Sequence, residues 1–279
     1  MRCQLQVQIL GEAVQQEDLV LTEFGGGVAV LTLNRPGSAN ALIPTLVDSL
    51  TEAIIAANND PSVRVLVLKG SGSSFCGGAD LSFLESVIGM SAEEIQRQVY
   101  GKFQGLTRLL RTCAKPIVAA VNGAAYGAGC EIAVACDFRI VSEDAVFSEN
   151  WIDIGAMPAL GGLSLLPRLI GFERAADMVM RGTKVGGKTA AAIGLATQCV
   201  PLADLSSAAQ HFAMDLAKKP AGAMVAIKQA LRRGLDNPLA LEWEYYVNAQ
   251  AILLSSEETA ANIAALQQRI RERTKRASV

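Results

Sequence analysis

The chain has 279 residues, 51% hydrophobic and 19% charged, with a formal net charge of −2. At ~150 residues per domain, this length predicts one or two domains with a full-sized core. The balance excludes disordered, collagen-like and coiled-coil chains, and the slightly acidic charge argues against binding nucleic acid or an anionic membrane surface.

Residues 1–17 read as an extension without a clear role, lacking the long apolar stretch and cleavage site of a secretory signal. Leu19–Phe24 and Val28–Leu33 flank Gly25-Gly26-Gly27, a hairpin signal. Leu42–Ala57 carries apolar residues at helical spacing, and Asn58-Asn59-Asp60-Pro61 ends it. Val63–Leu68 reads as a buried strand, then a glycine-rich loop, then a helix over 92–113. Pro116–Val121 is a second buried strand, Gly127–Ala135 an apolar helix and Phe138–Ser142 a strand. Alternating strands and helices predict an α/β fold with crossover connections. After Pro201 the pattern turns helical, over 202–218, 222–234, 239–255 and 257–273. The basic run from Arg269 to Arg276 reads as a solvated helix end.

Six cysteines lie scattered without a CxxC, which predicts reduced thiols in a cytosol-like compartment. No apolar run reaches the ~18 residues of a membrane span. The single histidine, His211, lies in a helical pattern and reads as an ordinary helical residue. Catalysis by a Ser-His-Asp or Cys-His set would need that one residue, and no close cluster of ligands predicts a metal. Chemistry is left to carboxylates, backbone dipoles or a bound cofactor.

Two glycine-rich turns each follow a buried strand: Ser73 to Asp80, and Asn122 to Glu131. Glycine and alanine let a ligand approach the backbone, and a helix starting near Gly127 leaves its first amides unpaired. Facing each other, two such loops could form a hole for a developing anion. Taken singly, each also reads as a plain strand-to-helix connection. A dinucleotide loop fits poorly, because Phe75 and Ile132 stand where a third glycine is needed. Glu131 lies inside the apolar run Cys130 to Cys136, so its carboxyl is expected to be partly buried, with a raised pKa.

Together these segments resemble the enoyl-CoA hydratase/isomerase (crotonase) family over about residues 18 to 270. The resemblance is carried by Asn34-Arg35-Pro36, Asn40-Ala41-Leu42, Ser74 to Leu81, Lys115-Pro116, Asn122-Gly123, Gly127 to Ala133, Cys136 to Ile140, Ala145-Val146-Phe147 and Gly161-Gly162 to Gly171, in family order. It implies a spiral of β-β-α units, with a core over 18–200 and a helical region over 201–279 that oligomerises as a trimer or a dimer of trimers. It implies an acyl-CoA substrate, with no separate cofactor, no metal, no nucleic acid and no membrane, in the cytoplasm.

By motif position, the resemblance assigns the thioester oxygen to the amides of Ala79 and Ala128, and proton transfer to Glu131. Gly78, Asp80 and Gly127 would shape the substrate site. Phe83, Trp151 and Met157 would line the acyl pocket, and Arg35 and Arg269 would meet CoA phosphates. The family's second glutamate falls on Trp151, which cannot move a proton at neutral pH. Glu149 and Asp153 flank it as candidate auxiliary acids; in an extended segment both would share a face with Trp151. Ala159 stands where the dehalogenase branch has its nucleophilic aspartate, which argues against dehalogenation. The leading expectation is hydration of a 2-enoyl-CoA. The alternatives are a double-bond isomerase, decarboxylase or C–C hydrolase on a CoA thioester, a non-catalytic acyl-CoA-binding protein, and a nicotinamide oxidoreductase.

Overall fold

The computed structural model describes residues 18–237, 239–254 and positions 256–259, 261–263, 265, 268 and 272. The chain opens with the hairpin expected around Gly25–Gly27: β1 (Val20–Gly25) pairs antiparallel with β2 (Val28–Leu33). Helix α1 (Pro44–Asn59) starts on a proline at its first turn, where the missing N–H costs nothing, and buries Leu46, Val47, Leu50, Ile54 and Ala57. Strand β3 (Val65–Gly70) pairs parallel with β2.

After β3 the expected helix over 92–113 is broken. A short helix α2 (Leu81–Val87) precedes it, and Ser91 and Glu94 close a capping box on α3 (Ala92–Glu94). A π-helical turn, Ile95–Tyr100, leads into α4 (Gly101–Thr112). Then come β4 (Ile117–Val121), β5 (Ala124–Tyr126), α5 (Ala128–Ala135), β6 (Phe138–Ser142) and β7 (Val146–Ser148). Helices α6 (Gly162–Ile170) and α7 (Phe172–Arg181), β8 (Val185–Gly186), α8 (Gly187–Ala192) and β9 (Gln198–Val200) complete the sheets. Helices α9 (Leu205–Ala217), α10 (Ala221–Asp236) and α11 (Leu239–Leu254) follow. Of the helix expected over 257–273, the described positions 257–259, 261–263, 265, 268 and 272 are helical; Arg269 and the extension over 1–17 lie outside the described residues.

The large sheet runs β1-β2-β3-β4-β6-β9, parallel except for the first pair; the small sheet runs β5-β7-β8. Successive units each give a strand to the large sheet, a short strand or bridge to the small one, then a helix. In the first two units the small-sheet strand is reduced to the bridges Leu42 to Ala79 and Cys76 to Ala125. This is the expected spiral of β-β-α units. Both faces of the central strands β2, β3, β4 and β6 are covered, so these strands are largely apolar, while β1 at the edge is exposed. Leu31, Leu66, Leu68, Ala119 and Val121 point into the main core, while Val28, Val65, Val67, Val118 and Ile140 pack under α9. No helix among the described residues is long and apolar enough to cross a membrane.

The spiral brings α5 hard against the loop after β3. A Cβ on Gly129 would stand 2.2 Å from the Cys76 carbonyl oxygen, too close for any real contact. Gly129→Ala is expected to lower folding stability by about 3 kcal/mol through overpacking, read as a lower denaturation midpoint in urea.

Candidate active site

The two glycine-rich turns do face each other. Cys76 donates its N–H to Ala124 O (2.9 Å) and accepts from Tyr126 N–H (3.0 Å), which lays 76–79 alongside 124–128. On the other side, Leu42 N–H donates to Gly78 O (2.7 Å) and Asp80 N–H to Leu42 O (3.0 Å). In a parallel bridge the bonds come from the residues flanking the bridging one, so the N–H of Ala79 itself faces away from Leu42. Gly78 has φ +101°, and a Cβ there would lie 2.7 Å from Tyr126 O and 3.8 Å from Ala128 N. Only glycine lets the two turns cross so closely.

Ala128 is the first residue of α5, where an amide has no intrahelical acceptor, and no side chain caps the helix. Alanine suits that place because its backbone is already helical; the unusual conformation, φ +47°, falls on Gly127. Ala79 and Gly127 line a cleft of about 450 Å³, walled also by Trp151 and Ile154. Ala79 and Gly127, the residue before Ala128, therefore border one cleft.

Asn40 organises this corner, a role that sequence reasoning quoted only as part of a motif. It is fully buried with φ +55°. Its Oδ1 accepts from Arg35 N–H (2.8 Å), and its Nδ2 donates to Ser71 O (2.9 Å) and Ser74 O (2.8 Å). A single amide thus ties the turn after β2 to the loop that delivers Ala79.

Glu131, one turn into α5, is fully buried, beyond the partial burial expected from its apolar run. Its Oε1 accepts from the amides of Leu160 (2.7 Å) and Gly162 (2.9 Å); its Oε2 has no partner. Burial pushes its pKa above the ordinary carboxylate range, against the pull of those two N–H groups. The amides were not foreseen; the only signal was the glycine pair Gly161-Gly162. A Cβ on Gly162 would meet Glu131 Cγ and Glu149 Oε1 at 3.1 Å each.

Glu149 thus joins Glu131, but the segment that carries it is not extended as expected. Residues 150–154 form a 3₁₀ turn, Asn150–Ile154, at three residues per turn. Glu149 is therefore buried, Trp151 half-buried and Asp153 exposed, so the three do not share a face. Neither carboxylate oxygen of Glu149 has a hydrogen-bond partner. Burial, then the charge of Glu131, push its pKa up further than that of Glu131. Trp151 lies between cleft and pair: its Cε2 would be 3.2 Å from a Cβ on Gly127, and its Nε1 leans toward Glu131 without a well-formed bond.

Other expected residues take other places. Arg35 binds Asp80 Oδ2 through both Nη1 and Nη2 (3.2 Å each) and also holds the Ala41 carbonyl, so its guanidinium braces the loop rather than standing free for a phosphate. Asp80 also caps α2, accepting from Ser82 N–H (3.0 Å). Phe83 stacks on Phe103 with centroids 5.4 Å apart, while its neighbours Leu81, Ser82 and Leu84 line the cleft. Met157 is 62% exposed and lines a separate groove with Tyr100 and Gln104, because the turn after Trp151 carries it outward. A groove of about 330 Å³ beside α10 is more apolar, but its one carboxylate, Asp137, is tied to Lys228 (2.7 Å) and Arg232 (2.8 Å). Among the described residues no cluster could hold a metal ion.

Residues 23–269 match the family model for enoyl-CoA hydratase/isomerase. The probable enoyl-CoA hydratase of Rhodobacter capsulatus is 39% identical over 78% of this chain and 82% of its own. The crotonyl-CoA hydratase of Syntrophomonas wolfei is 34% identical over 79% of this chain and 84% of its own. The solved structure of an enoyl-CoA hydratase from Polaromonas sp. JS666 superposes with a TM-score of 0.85 at 30% identity, over 90% of this chain and 97% of its own. Fold, sequence and the crossing of the two glycine-rich turns agree: the chain is an enzyme of the enoyl-CoA hydratase/isomerase family.

Proposed function

We propose that the protein hydrates a 2-enoyl-CoA thioester. The observation that carries this reading is the crossing of the two glycine-rich turns at one cleft lined by Ala79 and Gly127, with the α5 helix that follows Gly127 carrying the buried carboxyl of Glu131. Relatives at 34–39% identity carry hydratase names, which supports the same reaction here over isomerisation, decarboxylation or C–C hydrolysis.

In the proposed reaction the thioester oxygen accepts from the amides of Ala79 and Ala128. Glu131 takes a proton from water as the water oxygen bonds to C3. The C2–C3 π pair moves through C1 onto the thioester oxygen, and the enolate charge gathers where the two fixed donors wait. The enolate then collapses and C2 takes the proton from Glu131, so H and OH add across the double bond and the carboxylate is regenerated. A carboxyl raised toward neutral pH suits both directions of that transfer. The leaning of Glu131 on Leu160 and Gly162 fixes which oxygen is free: Oε2. Trp151, in the place of a second family glutamate, excludes bulk water from the pair rather than moving protons.

The same reading extends to a homo-oligomer, trimer or dimer of trimers, and to a cytosol-like compartment. Ile227, Leu231 and Leu235 on α10 are exposed apolar side chains suited to a neighbouring copy, and the five described cysteines are all unpaired.

Glu131→Gln keeps the shape and removes the base. Hydration of crotonyl-CoA, followed by loss of enoyl absorbance, is expected to fall by about 10²–10⁴, with thioester affinity within about threefold. Unchanged turnover would reject Glu131 as the base. Ala128→Pro is the sharper test of the hole, since proline is accepted at the first helical position but has no N–H. Its kcat is expected to fall by about 10²–10³ with the circular dichroism spectrum retained. Full activity in this variant would place the thioester oxygen elsewhere.

A further inference from the structure

Glu149 is not used in the reaction above, yet it is a fully buried carboxyl with both oxygens unpartnered, against the one group that is used. Glu131 Oε1 and Glu149 Oε1 both lie within 3.2 Å of the point where a Cβ on Gly162 would stand. Two carboxylates confined in one water-excluded pocket cannot both ionise cheaply. The surroundings decide which keeps the proton. Glu131 has two N–H donors aimed at one oxygen, an arrangement that stabilises the anion. Glu149 has none.

We propose that Glu149 is a positioning acid that holds the single proton of a Glu131–Glu149 pair and so keeps Glu131 as the anion facing the reaction. This rests on the reading of Glu131 as the base. The groups that could upset the assignment do not. Cys130 of α5 meets Glu149 with a thiol that burial holds well above its ordinary pKa; its weak S–H donation pulls Glu149 down by less than burial and the charge of Glu131 push it up. Tyr100 of the π-helical turn is likewise pushed up and neutral. Arg139 of β6, the nearest cation felt by Cys130, is already bound to the carbonyls of Ala133, Cys136 and Leu195. Among the described residues no cation faces the pair. Its titration belongs to the two acids together rather than to either alone.

The pair also makes stability depend on pH with a definite sign. Both acids have folded-state values above their unfolded ones, so the folded chain holds the extra proton between the two. Stability is full below the unfolded carboxylate range and declines as pH rises through the raised values. Glu149→Gln removes the group with the larger shift.

The test is infrared spectroscopy of the whole protein at about pH 8, above the value of about 7 for Glu131 and below that of about 9 for Glu149, which reads a buried neutral carboxyl directly by its C=O stretch. The wild type is expected to show such a band, Glu149→Gln to lose it, and Glu131→Gln to retain it. A wild type without the band, or a band lost in E131Q and kept in E149Q, overturns the proposal. In denaturant, the midpoint of E149Q is expected to rise relative to wild type as pH increases from weakly acid to weakly alkaline; a pH-independent difference overturns it too. If E149Q does not fold, the E131Q band alone decides. None of these readouts needs turnover, so an enzyme inactive on crotonyl-CoA would reject the proposed reaction and leave the test of the pair standing.

Discussion

Glu131 accepts hydrogen bonds from the amides of Leu160 and Gly162, and the rest of the site depends on that attachment. A carboxylate inside a core with no cation opposite it is costly, and here backbone N–H groups compensate only part of the cost. Helix α5 and the start of α6 are thereby joined through a side chain rather than through apolar packing alone. The attachment also consumes one oxygen of Glu131, which gives the group a front and a back. The other oxygen, Oε2, has no partner, and the indole of Trp151 beside it lines the cleft that Ala79 and Gly127 share.

Most of the frame was legible in the residues. β2, β4, β6, α1 and α5 were found within about two residues, because continuous aliphatic runs and helical spacing survive without tertiary context. The short strands β5, β7, β8 and β9 were not, since two or three residues carry no period. The break at Ile95–Tyr100 was missed because the apolar spacing there is that of an uninterrupted helix. At the site, motif spacing pointed to Ala79, Ala128 and Glu131, which lie on or just after the two turns that cross. It could not place Glu149, whose burial follows from a 3₁₀ turn where an extended segment was the natural reading. Nor could it say that Arg35 and Asp80 bind each other across 45 residues of sequence.

Trp151 illustrates how one replacement redistributes roles. A carboxyl at that position would present an acid to the cleft. The indole instead fills the space above Gly127 and shields a carboxyl pair that lies deeper. In the proposed reaction, proton chemistry is thus kept behind a hydrophobic wall, with a neighbouring acid supplied from two residues upstream.

Gly162 has a consequence for the descent of the sequence. Its missing side chain is the space that the two acids occupy, with 3.1 Å left to each. The three positions are therefore not independent in evolution. A methyl group at 162 would press on both acids at once, and each must give by a few tenths of an ångström for it to fit. The signature of the paired carboxyls is thus written at a residue that has no functional group at all.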